Sequence, residues 1–315
     1  MNSLDKPVVV VRAAVAHVPE VPGELLLGAA GSEKALDPDE AHLLLGRKGL
    51  LYKEPATRLA LCAVHRAFDL PPGRPKGPVE QGQDTAVVVS SNYGNVQTVR
   101  DVVATVRAGS GRDVSPLQAP NASSNVIAST LAIRYGLAGP NLMVCSGAVS
   151  GHQALYLGAL LLRTGRARRA VVVGVEPVDD TVRVLAGRRG SPEGARTEPR
   201  EGAACVVLEA AARPSPGEIV LGAVTQHRAL DVAAAGRRGS DVLRLVSPGG
   251  SPGDVDLSAA CGDTYGALGV LQAAAATAWL RERDAARAVL VAGDEEDGWA
   301  RAELSRLQDP TEVGV

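Results

Sequence analysis

The segment Gly139-Pro-Asn-Leu-Met-Val-Cys-Ser-Gly-Ala-Val-Ser-Gly-His-Gln-Ala-Leu155 reads as a strand that turns sharply into a helix, aiming residue 148 at the helix's positive end. A cysteine there would have its thiolate stabilised by the helix dipole and by nearby imidazoles, which is how an acyl-accepting nucleophile is made. The residue present is Ala148. His152, one helical turn on, could face the same cavity, although packing or an interface is the simpler role for a lone histidine on an apolar helix. Ser150 and His152 form no GxSxG elbow.

The cysteines, Cys62, Cys145, Cys205 and Cys261, are far apart and show no CxxC pairing, so neither a zinc site nor a disulfide framework is suggested. Cys145 reads as a small buried hydrophobe within a strand. Cys261 is the thiol with some claim to reactivity. Gly262-Asp-Thr-Tyr-Gly-Ala-Leu-Gly269 matches neither GxGxxG nor a P-loop, and Asp294-Glu-Glu-Asp-Gly298 lacks the alternating ligands of a calcium loop and reads as a solvated turn. No cofactor and no metal are expected.

The elements that must position these residues follow from periodicity. Leu4 to Val18 predicts a first strand, Pro55 to Phe68 a helix, and Thr85-Ala-Val-Val-Val-Ser90 a buried strand that leads through Ser91 to Asn95 into a helix ending near Val106. Further helices are predicted over Ser124 to Tyr135 and Ser150 to Arg163, with strands at Asn141 to Ser146 and Ala170 to Glu176. Strand, helix, strand in that order implies a parallel βαβ unit. Beyond a charged loop from Ala186 to Arg200, Gly202 to Glu209 reads as a strand, with Ile219 to Leu230 as its antiparallel companion. A shorter series follows: a strand at Val242 to Val246, a helix at Tyr265 to Arg283 and a strand at Ala288 to Ala292. It looks like an abbreviated copy of the first series, dividing the chain into residues 1–212 and 213–315.

Composition closes off other classes. Over 315 residues the chain is 45% hydrophobic and 22% charged, with 33 basic against 35 acidic residues, so it carries no electrostatic footprint for nucleic acid or anionic membrane. One Phe, two Trp and five Tyr leave few stacking platforms for bases. No run approaches the ~18 apolar residues of a membrane span, and the N-terminus does not read as a signal peptide; a reduced, cytoplasmic protein is expected.

Taken together the segments resemble the β-ketoacyl synthases of the thiolase-fold superfamily. The resemblance runs in the family's order through Ala41 to Leu61, the glycine-rich turn Ser90 to Asn95, and Ser115-Pro-Leu-Gln-Ala-Pro-Asn121 with Leu131-Ala-Ile-Arg-Tyr-Gly-Leu-Ala-Gly-Pro140. It continues through the nucleophile turn, Val171 to Glu176 and Glu201-Gly-Ala-Ala-Cys-Val-Val-Leu-Glu209. It implies an α/β, thiolase-like fold of two pseudo-repeated, βαβ-rich halves in an α/β/α/β/α layering, the second half abbreviated, with residues missing between Gly253 and Asp254 and near the C-terminus. The family's late glycine-rich loop is replaced by Ala292 to Gly298.

Every position where the family does its chemistry has changed. The nucleophile position is Ala148 and the first catalytic histidine aligns with Gly249. The segment Leu257-Ser-Ala-Ala-Cys-Gly-Asp-Thr-Tyr-Gly-Ala-Leu-Gly269, which would bear a lysine and the second histidine, has Ser258 and Asp263. Decarboxylative condensation needs a thiolate and two imidazole donors; alanine and glycine supply neither, and an anionic Asp263 would repel a developing enolate. The subgroup that keeps the fold without the cysteine is the chain-length factors of type II polyketide synthases. That likeness implies a heterodimer with an active ketosynthase subunit, a strand edge at Asn141 to Ser146 covered by that partner, and acyl-tunnel positions at Tyr93 and Leu117. It also implies an acyl carrier protein as partner, which Arg163, Arg166, Arg168 and Arg169 could dock. Two alternatives stay open: an acyl-thioester transferase or hydrolase with a site rebuilt from Cys261, Asp263 or His152, and a homodimeric acyl-binding scaffold.

Overall fold

Valine runs broken by glycine and proline become strands, and alanine-leucine runs at helical spacing become the helices between them. The computed structural model describes residues 7–31, 33–189, 197–283 and 286–308. In chain order these form β1 (Val8–His17), α1 (Ala41–Leu45), α2 (Pro55–Ala67), β2 (Thr85–Ser90), α3 (Val96–Ala108), α4 (Val126–Tyr135) and β3 (Asn141–Val144). Then come α5 (Ser150–Arg163), β4 (Arg169–Glu176), α6 (Asp180–Ala186), β5 (Gly202–Ala211), β6 (Ile219–His227), α7 (Leu230–Ala233), β7 (Val242–Ser247), α8 (Leu257–Cys261), α9 (Leu268–Arg281), β8 (Arg287–Asp294) and β9 (Gly298–Arg306). Residues 4–6 of the expected first strand and residues 190–196 of the expected charged loop lie outside the described residues.

The strands form one mixed sheet in the order β3-β2-β4-β5-β1-β6-β9-β8-β7. Its two ends repeat each other. Strands β2 and β4 are parallel, β5 runs antiparallel to β4, and β1 antiparallel to β5; likewise β7 and β8 are parallel, β9 antiparallel to β8, and β6 antiparallel to β9. The first series has β3 outside β2, whereas among the described residues no strand stands outside β7. The second series is therefore shorter than the first by an edge strand among the described residues.

One residue pairs along that edge. Val255 makes a parallel bridge to Leu245, accepting from Val246 N–H (3.0 Å) and donating to Arg244 O (2.8 Å). The loop holding it is tied down by Asp254, whose fully buried carboxylate accepts from Arg244 Nε (2.7 Å), Arg238 Nη1 (3.0 Å) and Ser251 N–H (3.0 Å). The short stub covers part of an edge that would otherwise be open to another chain.

Side-chain parity sorts the first series into two cores. Ala86, Val88, Ala170, Val172, Ala204, Val206 and Leu208 face the paired central helices α5 and α9, while Val87, Val89, Val171, Val173, Cys205 and Val207 face the outer helices α2 and α4. The central helices touch backbone to backbone at their N-termini: a Cβ on Gly151 would lie 2.7 Å from Gly269 N, so glycine is required for the approach. The outer cover of the second series is reduced to α7 over Val246, Val289, Val291 and Trp299, which thins the fifth layer to one helical turn.

The structure revises three sequence expectations. Strand β6 pairs with β1 and β9, not with β5, because β5 already has β4 and β1 on its two edges. The strand β9 was not anticipated. Cys145 is exposed just past the end of β3, since β3 is an edge strand that ends at Val144; its Sγ donates to Ser91 O at 2.9 Å. No helix among the described residues is long and apolar enough to cross a membrane.

Candidate functional site

The turn between β3 and α5 is built by polar side chains from neighbouring strand ends. Asn92 clamps Gly147 from both sides, its amide donating to Gly147 O (3.0 Å) while its Oδ1 accepts from Gly147 N–H (3.0 Å). Ser150 Oγ accepts from Ser146 N–H (2.6 Å) and donates to Asn92 Oδ1 (3.1 Å). Asn92 is in turn fixed by Glu176 at the end of β4, whose buried carboxyl accepts from Asn92 N–H (2.7 Å), Tyr93 N–H (3.0 Å) and Ser91 Oγ (3.1 Å). Burial pushes Glu176 up to about 7, against the lowering effect of those donors.

Held in this way, Ala148 is buried and presents its backbone N–H at the head of α5, where Asp297 Oδ2 accepts it at 2.7 Å. Asp297 sits in the turn between β8 and β9, and that turn is capped by Asp294 Oδ1, which accepts from Asp297 N–H (2.7 Å) and Glu296 N–H (3.1 Å). A carboxylate of the chain itself thus occupies the N–H that a nucleophile at residue 148 would offer to a developing oxyanion.

The four positions singled out from sequence converge. Ala148, Gly249, Ser258 and Asp263 all line one cavity of about 480 Å³, together with Arg189 and Tyr265. No thiol or imidazole is among its described lining residues. Asp263 is paired with Arg189 Nη1 at 2.9 Å, and the same guanidinium reaches Asp294 at 3.4 Å. It also lies 3.4 Å from the ring centroid of Tyr265, which stacks with Tyr93 at 5.2 Å. Asp263 is therefore held as a partner of Arg189 and not as a free base.

The other candidates lie apart. Cys261 is buried in α8 with Sγ 3.8 Å from Leu25 O, does not line the cavity, and has its thiol pushed up to about 11 by burial. His152 is fully buried in α5, and its Nδ1 lies 2.5 Å from where a Cβ on Gly269 of α9 would stand. Neither ring nitrogen has a partner at hydrogen-bond geometry; only the Leu290 carbonyl favours its protonated form slightly, and burial pushes it down to about 4. Leu117 is 60% exposed and is not among the cavity's lining residues, whereas Tyr93 is half-buried and stacks with Tyr265, which is. Of the arginines, Arg163 donates to Leu221 O and Gly222 O, and Arg169 pairs with Glu209 at 2.5 Å; Arg166 and Arg168 are exposed. Among the described residues no group of three His, Cys, Asp or Glu is placed to hold a metal ion.

A depressed histidine destabilises the folded state as pH falls: the unfolded chain takes up a proton below its ordinary value of 6.5, while the folded chain does so only near 4. His152→Leu should therefore gain stability relative to the parent between pH 6.5 and 4, by up to about 1.4 kcal/mol per pH unit. Urea midpoints of both proteins across that range read the difference. A difference that does not change with pH would contradict the assignment.

Tyr265, Asp297 and Glu176 lie in segments singled out from sequence, but neither they nor Arg189 were recognised as site residues; each acts from a separate element and meets the others only in three dimensions.

The β-ketoacyl synthase N-terminal domain family matches residues 33–191. No curated protein matches the chain. Among solved structures it is similar to the ishigamide ketosynthase/chain length factor, at 20% identity and TM-score 0.71, over 96% of this chain and 100% of that one. It is also similar to the type II PKS acyl-carrier protein in complex with its ketosynthase bound to the hexaketide (AntDE:AntF), at 15% identity and TM-score 0.74, over 96% and 99%. A third is the ketosynthase from module 1 of the bacillaene synthase of Bacillus amyloliquefaciens FZB42, at 14% identity and TM-score 0.62, over 100% and 75%. At these identities the structural likeness establishes the thiolase-like fold.

Proposed function

The chain belongs to the β-ketoacyl synthase family, and from that membership we propose that it is a non-catalytic subunit of the chain-length-factor kind. In this reading it pairs with an active ketosynthase and shapes the acyl tunnel in polyketide or specialised fatty-acyl biosynthesis. The observation that carries the reading is the cavity itself: Ala148, Gly249, Ser258 and Asp263 share it, no thiol or imidazole lines it among the described residues, and Asp297 fills the N–H at Ala148.

A free strand edge and exposed apolar side chains support a partner. Strand β3 is an edge, α3 buries none of its residues while exposing Val99, Val103 and Val106 at helical spacing, and Ile133 of α4 is 79% exposed. Leu117, itself exposed, gains a role if the partner's tunnel reaches it. Arg166 and Arg168 remain available to an acidic carrier protein, whereas Arg163 and Arg169 are committed inside the fold.

A pull-down of the tagged chain from its native host, with mass spectrometry of what is bound, tests the pairing. A stoichiometric ketosynthase carrying its own Cys and His residues is the expected result; a soluble homodimer alone overturns it. In the complex, Tyr93→Ala and Leu117→Ala should lengthen the products and Leu117→Trp shorten them, read by mass spectrometry of released polyketides. An unchanged distribution would remove both residues from the tunnel.

A further inference from the structure

Tyr265 is held more tightly than a spacer residue needs to be. Its backbone lies in the left-handed region (φ 39°), a conformation bulky side chains rarely adopt and one that marks functional or strained positions. Four contacts hold it there. Its N–H donates to Asp263 Oδ1 (2.8 Å), its hydroxyl donates to Asp297 Oδ2 (3.3 Å), Arg189 lies over its ring and Tyr93 stacks with it. These contacts come from the glycine-rich turn, the stretch after α6, the segment before α9, and the β8–β9 turn.

The placement of the ring gives this arrangement a purpose. Tyr265 and Arg189 line the 480 Å³ cavity and also contact Tyr93, which does not line it. We propose that the Tyr265 ring, backed by Arg189, is the wall between that cavity and the Tyr93 turn, so that an acyl chain arriving at Tyr93 stops there and the cavity stays empty of it. Tyr265 is then a length-setting residue in addition to Tyr93 and Leu117. This rests on the chain-length-factor reading for its biological meaning, but the wall itself is a property of this chain alone.

The test uses two variants. Tyr265→Gly removes the ring and relaxes the strained φ, while Tyr265→Ala removes the ring and keeps the strain; thermal midpoints check that both fold. Decanoyl-pantetheine titrated into the full chain by calorimetry should bind at least tenfold more tightly to both variants than to the parent. In complex with the ketosynthase, both should release longer polyketides. Equal affinity for the probe in parent and variants overturns the wall, even where Tyr93→Ala still shifts the products and the chain-length reading stands. Failure of the parent and both variants to bind any ketosynthase overturns that reading instead, and the calorimetry then still decides the wall.

Discussion

Asp254→Ala should be the most damaging substitution outside the sheet, costing about 3–5 kcal/mol in urea unfolding at neutral pH, because it leaves the guanidinium of Arg244 buried without its counter-charge. The geometry is that of a closed pair: the Asp254 carboxylate is 0% exposed, the Arg244 side chain 3%, and Arg244 Nη2 is otherwise spent on Ala234 O at 2.5 Å. The arginines, with the Ser251 N–H, hold Asp254 below its ordinary value although burial acts the other way. The double replacement Arg244→Met with Asp254→Leu removes both charges and should restore most of the loss, since a buried ion pair contributes little beyond a well-packed apolar pair. A loss below about 1 kcal/mol for the single variant, or no recovery in the double, would show that the loop is not held by this pair. The second consequence concerns solubility: with the loop released, Val255 no longer pairs with β7, and the freed edge should promote concentration-dependent aggregation measurable by light scattering.

The same loop shows what the sequence could and could not convey. Strand β2 and helix α5 coincide with their sequence readings to the residue, because a fully buried parallel strand and an apolar central helix each impose an uninterrupted hydrophobic pattern. Ala148, Gly249, Ser258 and Asp263 were singled out by residue type at fixed places in a recognisable order, and the fold brings all four to one cavity. Strand β9 was overlooked although Ala300 to Ser305 alternates small or apolar residues with Arg301, Glu303 and Ser305, the period of a half-buried strand; its residues are mostly small or charged and lack the valine runs of strands such as β2. The pairing of β6 followed the rule that consecutive strands are neighbours, which fails where the earlier strand is already flanked on both sides. The occupants of the site were illegible for another reason. Arg189, Tyr265 and Asp297 hold one another through charge and ring contacts between distant elements, and such contacts leave no local spacing to read.

A cysteine placed at position 148 should not by itself be a reactive thiol. In a Cys145→Ser background, which removes the exposed thiol, Ala148→Cys places a thiol at the head of α5 beside the Asp297 carboxylate. The helix dipole favours the thiolate there, but an anion at hydrogen-bond distance from the same peptide N–H opposes it and takes up the donor that would have stabilised it. The bare Coulomb repulsion at ~4 Å and an effective dielectric of ~20 is about 4 kcal/mol. Because Asp297 is exposed, solvent screening reduces this, and about 1.4 kcal/mol, a factor of ten, is the conservative expectation. Adding Asp297→Ala to Ala148→Cys should therefore raise the rate of iodoacetamide alkylation at pH 7.5 by tenfold or more; equal rates in the two proteins would show that Asp297 does not control this N–H. Even the faster thiol should accept an acyl group without condensing it. Gly249 offers no donor to an enolate, and Asp263, tied to Arg189, offers a negative charge where an imidazole is needed. Three features of the site thus stand against condensation at position 148: no thiol, an N–H already accepted by Asp297, and a carboxylate paired with Arg189.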